Sequence, residues 1–354
     1  MGLKRLIRKL LRLPPRVRTR TAPFKRGRVD HFVILDGTMS TLEPGLETNA
    51  GLAYRLLCDV GGAAQLSIRY EQGVQWRTWR DALAVAEGRG INRQIRRSYG
   101  FIASRYRVGD RIFLLGYSRG AFAVRSLAGV IDRIGLLRPE FATERNIRQV
   151  YRHYQTDPDS PTARAFANKY CHPTTEIEMV GVWDTVKALG NPLPILWRYS
   201  QPRHEFHDTR LGAAIRHGYQ ALALDETRRA YAPVLWTGRP DWKGVLEQVW
   251  FRGAHGDIGG QLGHFKAARP LANIPFVWMM EKLEGCGVKL PPGWQSQFPQ
   301  DVNAPSVGTF QGWGKLFIYR KKRVVGQDPS ESIHPSVATY QGNLRADIRQ
   351  RIPA

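Results

Sequence analysis

Three segments of the chain place a serine, a carboxylate and an imidazole where each could take part in acyl transfer. Gly116-Tyr117-Ser118-Arg119-Gly120 presents a serine between glycines two residues to either side. A serine hydroxyl is a weak nucleophile unless a base takes its proton. Residues 178–186 carry Asp184 just past an apolar run, where a carboxylate can orient an imidazole and stabilise its cationic form. Residues 247–260 put His255 past a second apolar run, in a loop with Asp257 and four glycines, Gly253, Gly256, Gly259 and Gly260. That crowding of glycines is unusual for a plain surface loop, because each costs conformational entropy. Ser118 is therefore the candidate nucleophile, His255 the general base and Asp184 the acid that orients it.

Each of these residues also has a plainer reading. Ser118 and Asp184 could be helix N-caps, and His255 a neutral or solvated histidine. His334, in Ile333-His334-Pro335-Ser336, also follows Asp184 in sequence and is the alternative base, but Pro335 holds its backbone extended in a segment of weak strand character. The loop Asp36-Gly37-Thr38 could lend a backbone N–H from Gly37 or Thr38 to an oxyanion hole beside the amide of Arg119, or Asp36 could simply cap a turn. Asp36, Asn49, Asp257 and His334 are candidate supporting residues. A phosphatase-type nucleophile at Asp36 would need a second aspartate two residues away, where Ile34 and Thr38 stand. His204 and His207 lie three apart with no third ligand, so no metal and no cofactor are expected.

Elements that could hold these residues alternate along the chain from residue 31. Short apolar runs predict strands at His31–Leu35, Leu66–Tyr70, Arg111–Leu115, Ile177–Val182 and Gln248–Phe251. Helical periodicity predicts helices around Asn92–Tyr106, Gly120–Ile134, Thr209–Ala223 and Ile274–Leu283. Strands alternating with crossover helices imply an α/β fold, a mostly parallel central sheet with helices on both faces. Arg111–Leu115, the tight turn at Ser118 and the helix after it form the strand-turn-helix of a nucleophile elbow, and the order serine, acid, histidine is that of an α/β-hydrolase-like fold. Residues 186–207, rich in proline and tryptophan, read as a lid insertion.

The chain of 354 residues carries 53 Lys or Arg against 30 Asp or Glu, a formal charge of +23. Such a balance attracts polyanions: an anionic lipid surface, nucleic acid or an acidic partner. Residues 1–30 alone hold eleven basic residues and one acid, Asp30. Leu3, Leu6, Ile7, Leu10 and Leu11 recur at helical spacing between Lys4, Arg5, Arg8, Lys9 and Arg12, and Pro14-Pro15 ends the pattern. A short basic amphipathic helix of this kind suits a headgroup layer, or docks on the protein's own body, or frays in solution. The expected organisation is a basic N-terminal segment, 1–29, followed by a single domain over 30–345. No apolar run reaches the roughly 20 residues of a membrane span, and no secretory signal opens the chain, which reads as beginning near Met1. Cys58, Cys171 and Cys286 are odd in number and suggest a reducing compartment rather than a disulfide framework.

Taken together, these motifs resemble the catalytic domain of the type VI secretion lipase effectors and their stand-alone bacterial relatives. The resemblance runs in the family's order through Leu35-Asp36-Gly37-Thr38, Thr48-Asn49, Tyr70–Val74, Gly109-Asp110, the Gly116–Gly120 elbow, Gly181–Val186, Leu224-Asp225-Glu226 and Trp250–Gly260, roughly residues 31–285. It implies a serine esterase acting on fatty acyl esters of membrane phospholipids, with Ser118, Asp184 and His255 as the triad and no cofactor. Two features depart from the family: Gly259-Gly260-Gln261-Leu262 stands where Gly-Gly-Gly-Tyr is usual, and the large extra domain of the secreted effectors is not seen. The expected function is hydrolysis of carboxylic esters, with a lipid or ester substrate, an anionic membrane surface as partner and no specific nucleic acid. The expected location is the cytoplasm, peripheral at the membrane, or outside the cell by signal-peptide-independent export. The alternatives are an inactive hydrolase-fold protein that binds anionic membrane or nucleic acid, and a small-molecule esterase.

Overall fold

Among the described residues seven of eight strands run parallel, and the central ones, β2 and β4, are short, largely apolar and buried on both faces. The computed structural model describes residues 17–21, 27–60, 65–73, 89–186, 211–238, 242–310 and 319–352. The strands are β1 (Val17–Thr21), β2 (Asp30–Leu35), β3 (Leu66–Glu71), β4 (Arg111–Tyr117), β5 (Ile177–Trp183), β6 (Ile215–Ala223), β7 (Val245–Phe251) and β8 (Glu331–Ile333). They form one sheet in the order β1-β3-β2-β4-β5-β6-β7-β8, with only β1 antiparallel. The helices are α1 (Asn49–Asp59), α2 (Arg89–Ala103), α3 (Arg119–Arg133), α4 (Glu144–Thr156), α5 (Pro161–Tyr170), α6 (His255–Gly259), α7 (Arg269–Gly285) and α8 (Ala346–Arg349).

Alternate residues along the strands feed two cores. Phe32, Ile34, Phe113, Leu115 and Tyr117 pack with α1 and α7 on one face. Val33, Leu35, Ile112 and Leu114 pack with α2, α3 and α4 on the other. Helices thus cover both faces of a mostly parallel sheet, the α/β-hydrolase-like class expected. The apolar stripe of α3, Ala121, Val124, Leu127, Ala128 and Ile131, is fully or almost fully buried, and this anchors the turn that precedes it.

The chain winds outward from β2 in one direction through β3 and in the other through β4, so β2 and β4 are neighbours at the point where strand order reverses. In an open parallel sheet the loops beyond the carboxyl ends of the strands diverge there and leave room for a ligand. The register aligns those ends: Leu35 pairs with Gly116, Tyr117 with Trp183, Trp183 with Ala221 and Ala223 with Phe251. Loops carrying Asp36, Ser118, Asp184 and His255 therefore emerge on one edge.

One predicted element is of the wrong type. The helix expected over Thr209–Ala223 is strand β6 over Ile215–Ala223, hydrogen-bonded between β5 and β7. Ala213, Ala214, Ala221, Leu222 and Ala223 are good helix formers, and pairing with β5 and β7 overrides that local preference. The domain also extends past the limits expected for it. Val17–Thr21, assigned to the basic N-terminal segment, adds the edge strand, and Ile348 packs with Leu222, Leu224 and Trp250 beyond residue 345. The amphipathic helix expected at residues 3–11 lies outside the described residues, as does the expected lid apart from Val186.

Candidate active site

The turn between β4 and α3 is tight because its glycines are approached by backbone. A side chain at Gly120 would run into the carbonyl oxygen of Leu35, and one at Gly116 would meet the carbonyl of Gly120 at 2.7 Å. Ser118 sits at φ 57°, ψ −119°, a sparsely populated region for any L-residue, and makes no cap bond with its side chain. Asp184 also has positive φ, 44°, as does Met39, 61°, so among the described residues the three positive-φ residues other than glycine lie in loops at this edge of the sheet. Backbone strain of this kind persists only where surrounding packing enforces it, and it gathers at functional sites. Gly120→Ala is expected to cost about 3 kcal/mol or more, since its new methyl meets rigid backbone rather than a movable side chain. A urea midpoint within error of wild type would contradict this.

The serine, histidine and aspartate meet in one chain of hydrogen bonds. Ser118 Oγ lies 2.9 Å from His255 Nε2, and His255 Nδ1 lies 2.6 Å from Asp184 Oδ2. An ionised carboxylate only accepts, so Nδ1 carries the ring proton and Nε2 is left to accept from the serine hydroxyl. All three residues are buried, with Asp184 fully so. Ser118 precedes α3 but its side chain makes no cap bond, and Asp184 Oδ1 accepts from the amide of Ala223, on β6, 39 residues along the chain.

Arg323, which sequence reasoning missed, completes the surroundings of Asp184. Its Nη1 lies 2.5 Å from Oδ1 and its Nη2 2.9 Å from Oδ2, and the same two nitrogens donate to the carbonyls of Ala223 and Tyr231. Burial pushes the Asp184 carboxyl up, but the Arg323 guanidinium, followed by the His255 hydrogen bond, holds it well below the usual carboxylate range. Arg323 stands in the basic run Arg320-Lys321-Lys322-Arg323, whose composition reads as solvated surface, and nothing in it marks which side chain is buried.

His255 opens the short helix α6, and its loop is held by three carboxylates. Asp225 Oδ2 accepts from Gly253 N, Glu226 Oε2 from His255 N at 3.2 Å, and Asp257 Oδ2 from Ala254 N. Asp257 also accepts from Ser306 Oγ and Val307 N, which ties the loop to residues that follow α7. The rings of Tyr117 and Tyr231 each lie 4.9 Å from the His255 ring, on centroids. Arg228 pairs with Glu226 and stacks over Tyr231 at 3.9 Å. The function of Leu224-Asp225-Glu226 is thus to brace the histidine loop.

Among the remaining expected residues, Asp36 and Asn49 are structural ties. Asp36 accepts from Gly37 N, Thr48 Oγ1 and Tyr70 Oη, and burial pushes its carboxyl up to about 6. Asn49 clips α1 to α6 and α7 through the carbonyls of Ile258 and Ala272. Because the Gly37 amide is bound at 2.6 Å by Asp36, it is a poor oxyanion donor, which corrects the expectation for that residue. The Asp36–Thr38 loop still lies against the nucleophile, since a side chain at Gly37 would meet Ser118 Cβ at 3.5 Å. Gln261, at the family departure, donates to Thr38 O at 2.8 Å and so fastens this loop to the histidine loop. His334 lies apart from the three-residue chain: its ring stacks on Phe251, its Nδ1 pairs with Ser336, and burial pushes it down to about 4.

Among the described residues no cluster of His, Cys, Asp or Glu could hold a metal ion, and no helix is long and apolar enough to cross a membrane. His204 and His207 lie outside the described residues. The three cysteines are unpaired.

Comparison with known proteins adds a family. An uncharacterized protein of Saccharomyces cerevisiae, YEL023C, is 27% identical over 161 residues, 42% of this chain, and the chain spans 22% of its length. Among solved structures, an uncharacterized protein from Pseudomonas aeruginosa matches 77% of this chain and 49% of its own at 14% identity and a TM-score of 0.45. The Tle1 effector bound to the VgrG spike of the type 6 secretion system matches 68% of this chain and 52% of its own at 17% identity and a TM-score of 0.34. The apo form of Thermogutta terrifontis esterase 2 matches 78% and 91% at 13% identity and a TM-score of 0.40. The family described as T6SS phospholipase effector Tle1-like, catalytic domain, matches residues 30–282, which span β2 to α7 and include Ser118, Asp184 and His255. The chain belongs to this Tle1-like catalytic domain family.

Proposed function

We propose that the protein is a serine hydrolase of carboxylic esters and that its substrates are acyl esters of membrane phospholipids. The observation that carries this reading is the unbroken chain from Ser118 Oγ through His255 to Asp184, at 2.9 and 2.6 Å, on a domain of a phospholipase effector family. His255 takes the hydroxyl proton as Ser118 attacks the ester carbonyl, and Asp184 stabilises the imidazolium that forms. The backbone N–H of Arg119, joined by that of Thr38, faces the developing oxyanion. His255 then returns its proton to the departing alcohol, and water releases the acyl group by the same steps in reverse.

The charge of +23, of which residues 1–30 carry +10, favours approach to an anionic lipid surface. The working location is accordingly the membrane face, reached from the cytoplasm or after signal-peptide-independent export. A fluorophosphonate probe is expected to label Ser118 and no other serine, and the protein to release fatty acid from anionic phospholipid vesicles faster than it cleaves soluble short-chain esters. Labelling with turnover of soluble esters alone would point to a small-molecule esterase. An unlabelled, folded protein would sink the hydrolase reading.

A further inference from the structure

The carboxylate of Asp184 is shared between a permanent cation, Arg323, and the imidazole of His255. Oδ2 receives the imidazole N–H of His255 and one arm of the Arg323 fork; Oδ1 receives the other arm and the amide of Ala223. A guanidinium is always charged and its planar fork fits a carboxylate at two points. It therefore fixes the plane of the Asp184 carboxylate, and with it the direction of Oδ2 toward Nδ1. It also cancels, before any reaction, much of the negative charge that would otherwise draw a proton onto the pair.

We propose that Arg323 is a positioning residue of the Asp184–His255 pair, clamping the carboxylate and keeping the pair unprotonated, and so able to accept the Ser118 proton, at lower pH than an uncompensated pair would allow. The proposal rests on the hydrolase reading above and adds to it a residue that lies beyond the family match, which ends at residue 282. Residues 319–352 thereby become part of the working site. Arg323 is held in turn by Arg345, whose Nη2 donates to its carbonyl at 2.9 Å, and Arg345 directly precedes α8.

The other groups around the pair do not substitute for this cation. Glu226 accepts from the backbone N–H of His255, also feels its ring charge through space, and is matched by Arg228. Tyr117 and Tyr231 present ring faces and edges, and Ser118 a hydroxyl. Arg119 lies near Tyr231, while Asp36, near Tyr117, has its carboxylate filled by Gly37, Thr48 and Tyr70. Within the pair itself the protonated state is Arg⁺–Asp⁻–His⁺, one net positive charge buried together; without Arg323 it is neutral. Removing the guanidinium thus favours the protonated pair, which titrates as a unit.

Arg323→Gln is expected to move the acid limb of kcat/KM upward by about one pH unit or more. At the optimum kcat should fall about tenfold with KM unchanged, because the carboxylate loses its clamp while substrate contacts stay. Arg323→Lys, which keeps the charge but not the fork, should leave the acid limb in place while kcat falls. Titration of the His255 ring, followed by its carbon-bound proton resonances, must show the same upward displacement in Arg323→Gln in a Ser118→Ala background. An unchanged acid limb and ring titration in Arg323→Gln would overturn the proposal, as would an equal displacement in Arg323→Lys. Should Arg323→Gln fail to fold, the comparison moves to Asp184→Asn against Asp184→Asn/Arg323→Gln, the second of which buries neither charge. His255 must hold its proton to higher pH in the double variant, and equal titration would overturn the proposal. The ring titration needs no turnover, so wild-type protein inactive on every ester would defeat the hydrolase reading and leave this result standing.

Discussion

Ser118→Ala is expected to lower ester turnover by about 10⁴-fold or more while the protein stays folded. The hydroxyl is the only group the substitution removes, and in the folded protein it makes one bond, to His255 Nε2. Loss of one such bond costs about 1 kcal/mol. The strained backbone at φ 57° is as unfavourable for alanine as for serine, so it neither adds to nor relieves that cost. His255→Ala should lose nearly as much activity, and the double variant little more than either, because members of a triad act as one unit. His334→Ala should stay within about tenfold of wild type, the scale of a supporting contact worth about 1.4 kcal/mol. Measured kcat/KM of the four variants, with circular dichroism to establish folding, decides the matter: a folded Ser118→Ala variant with wild-type turnover would remove the nucleophile.

Asp184→Asn should be as damaging to activity and, unlike Ser118→Ala, damaging to stability. An asparagine at this position can donate to His255 Nδ1 and so favour the tautomer with its proton on Nε2, which cannot accept from Ser118. A change of this kind costs about 10⁴ in kcat. It also leaves the Arg323 guanidinium buried without its counter-charge, and breaking a buried ion pair by removing one partner costs about 3–5 kcal/mol. The sign of the pH dependence follows from the carboxyl being held low in the folded state. A depressed acid contributes stability above its unfolded value, near 3.9, and that contribution is lost as pH falls through the lower folded-state value. Urea midpoints should therefore fall more steeply for wild type than for Asp184→Asn as pH is lowered below about 4. Equal stability of the two proteins at neutral pH would show that Arg323 does not depend on Asp184.

The amino-acid sequence by itself determined the strands and turns whose signals are local. Residues 111–133 read as strand, tight turn and helix because the apolar run, the two spaced glycines and the helical stripe all fall within a few residues of one another. Ser118, Asp184 and His255 were legible for the same reason, each sitting where an apolar strand gives way to polar or glycine-rich chain. The type of β6 was not legible, since its alanines and leucine favour a helix and only the pairing with β5 and β7 makes it a strand. The amide of Gly37 looked as available as that of Thr38 until the carboxylate of Asp36 was placed beside it. Arg323 was hidden most completely: a basic residue in a basic run differs from its neighbours only through which carboxylate lies within reach, and Asp184 stands 139 residues away in the chain. Which histidine meets the serine, and which arginine meets the aspartate, were decided by the tertiary structure, because hydrogen bonds and ion pairs form over about 3 Å of space whatever the separation along the chain.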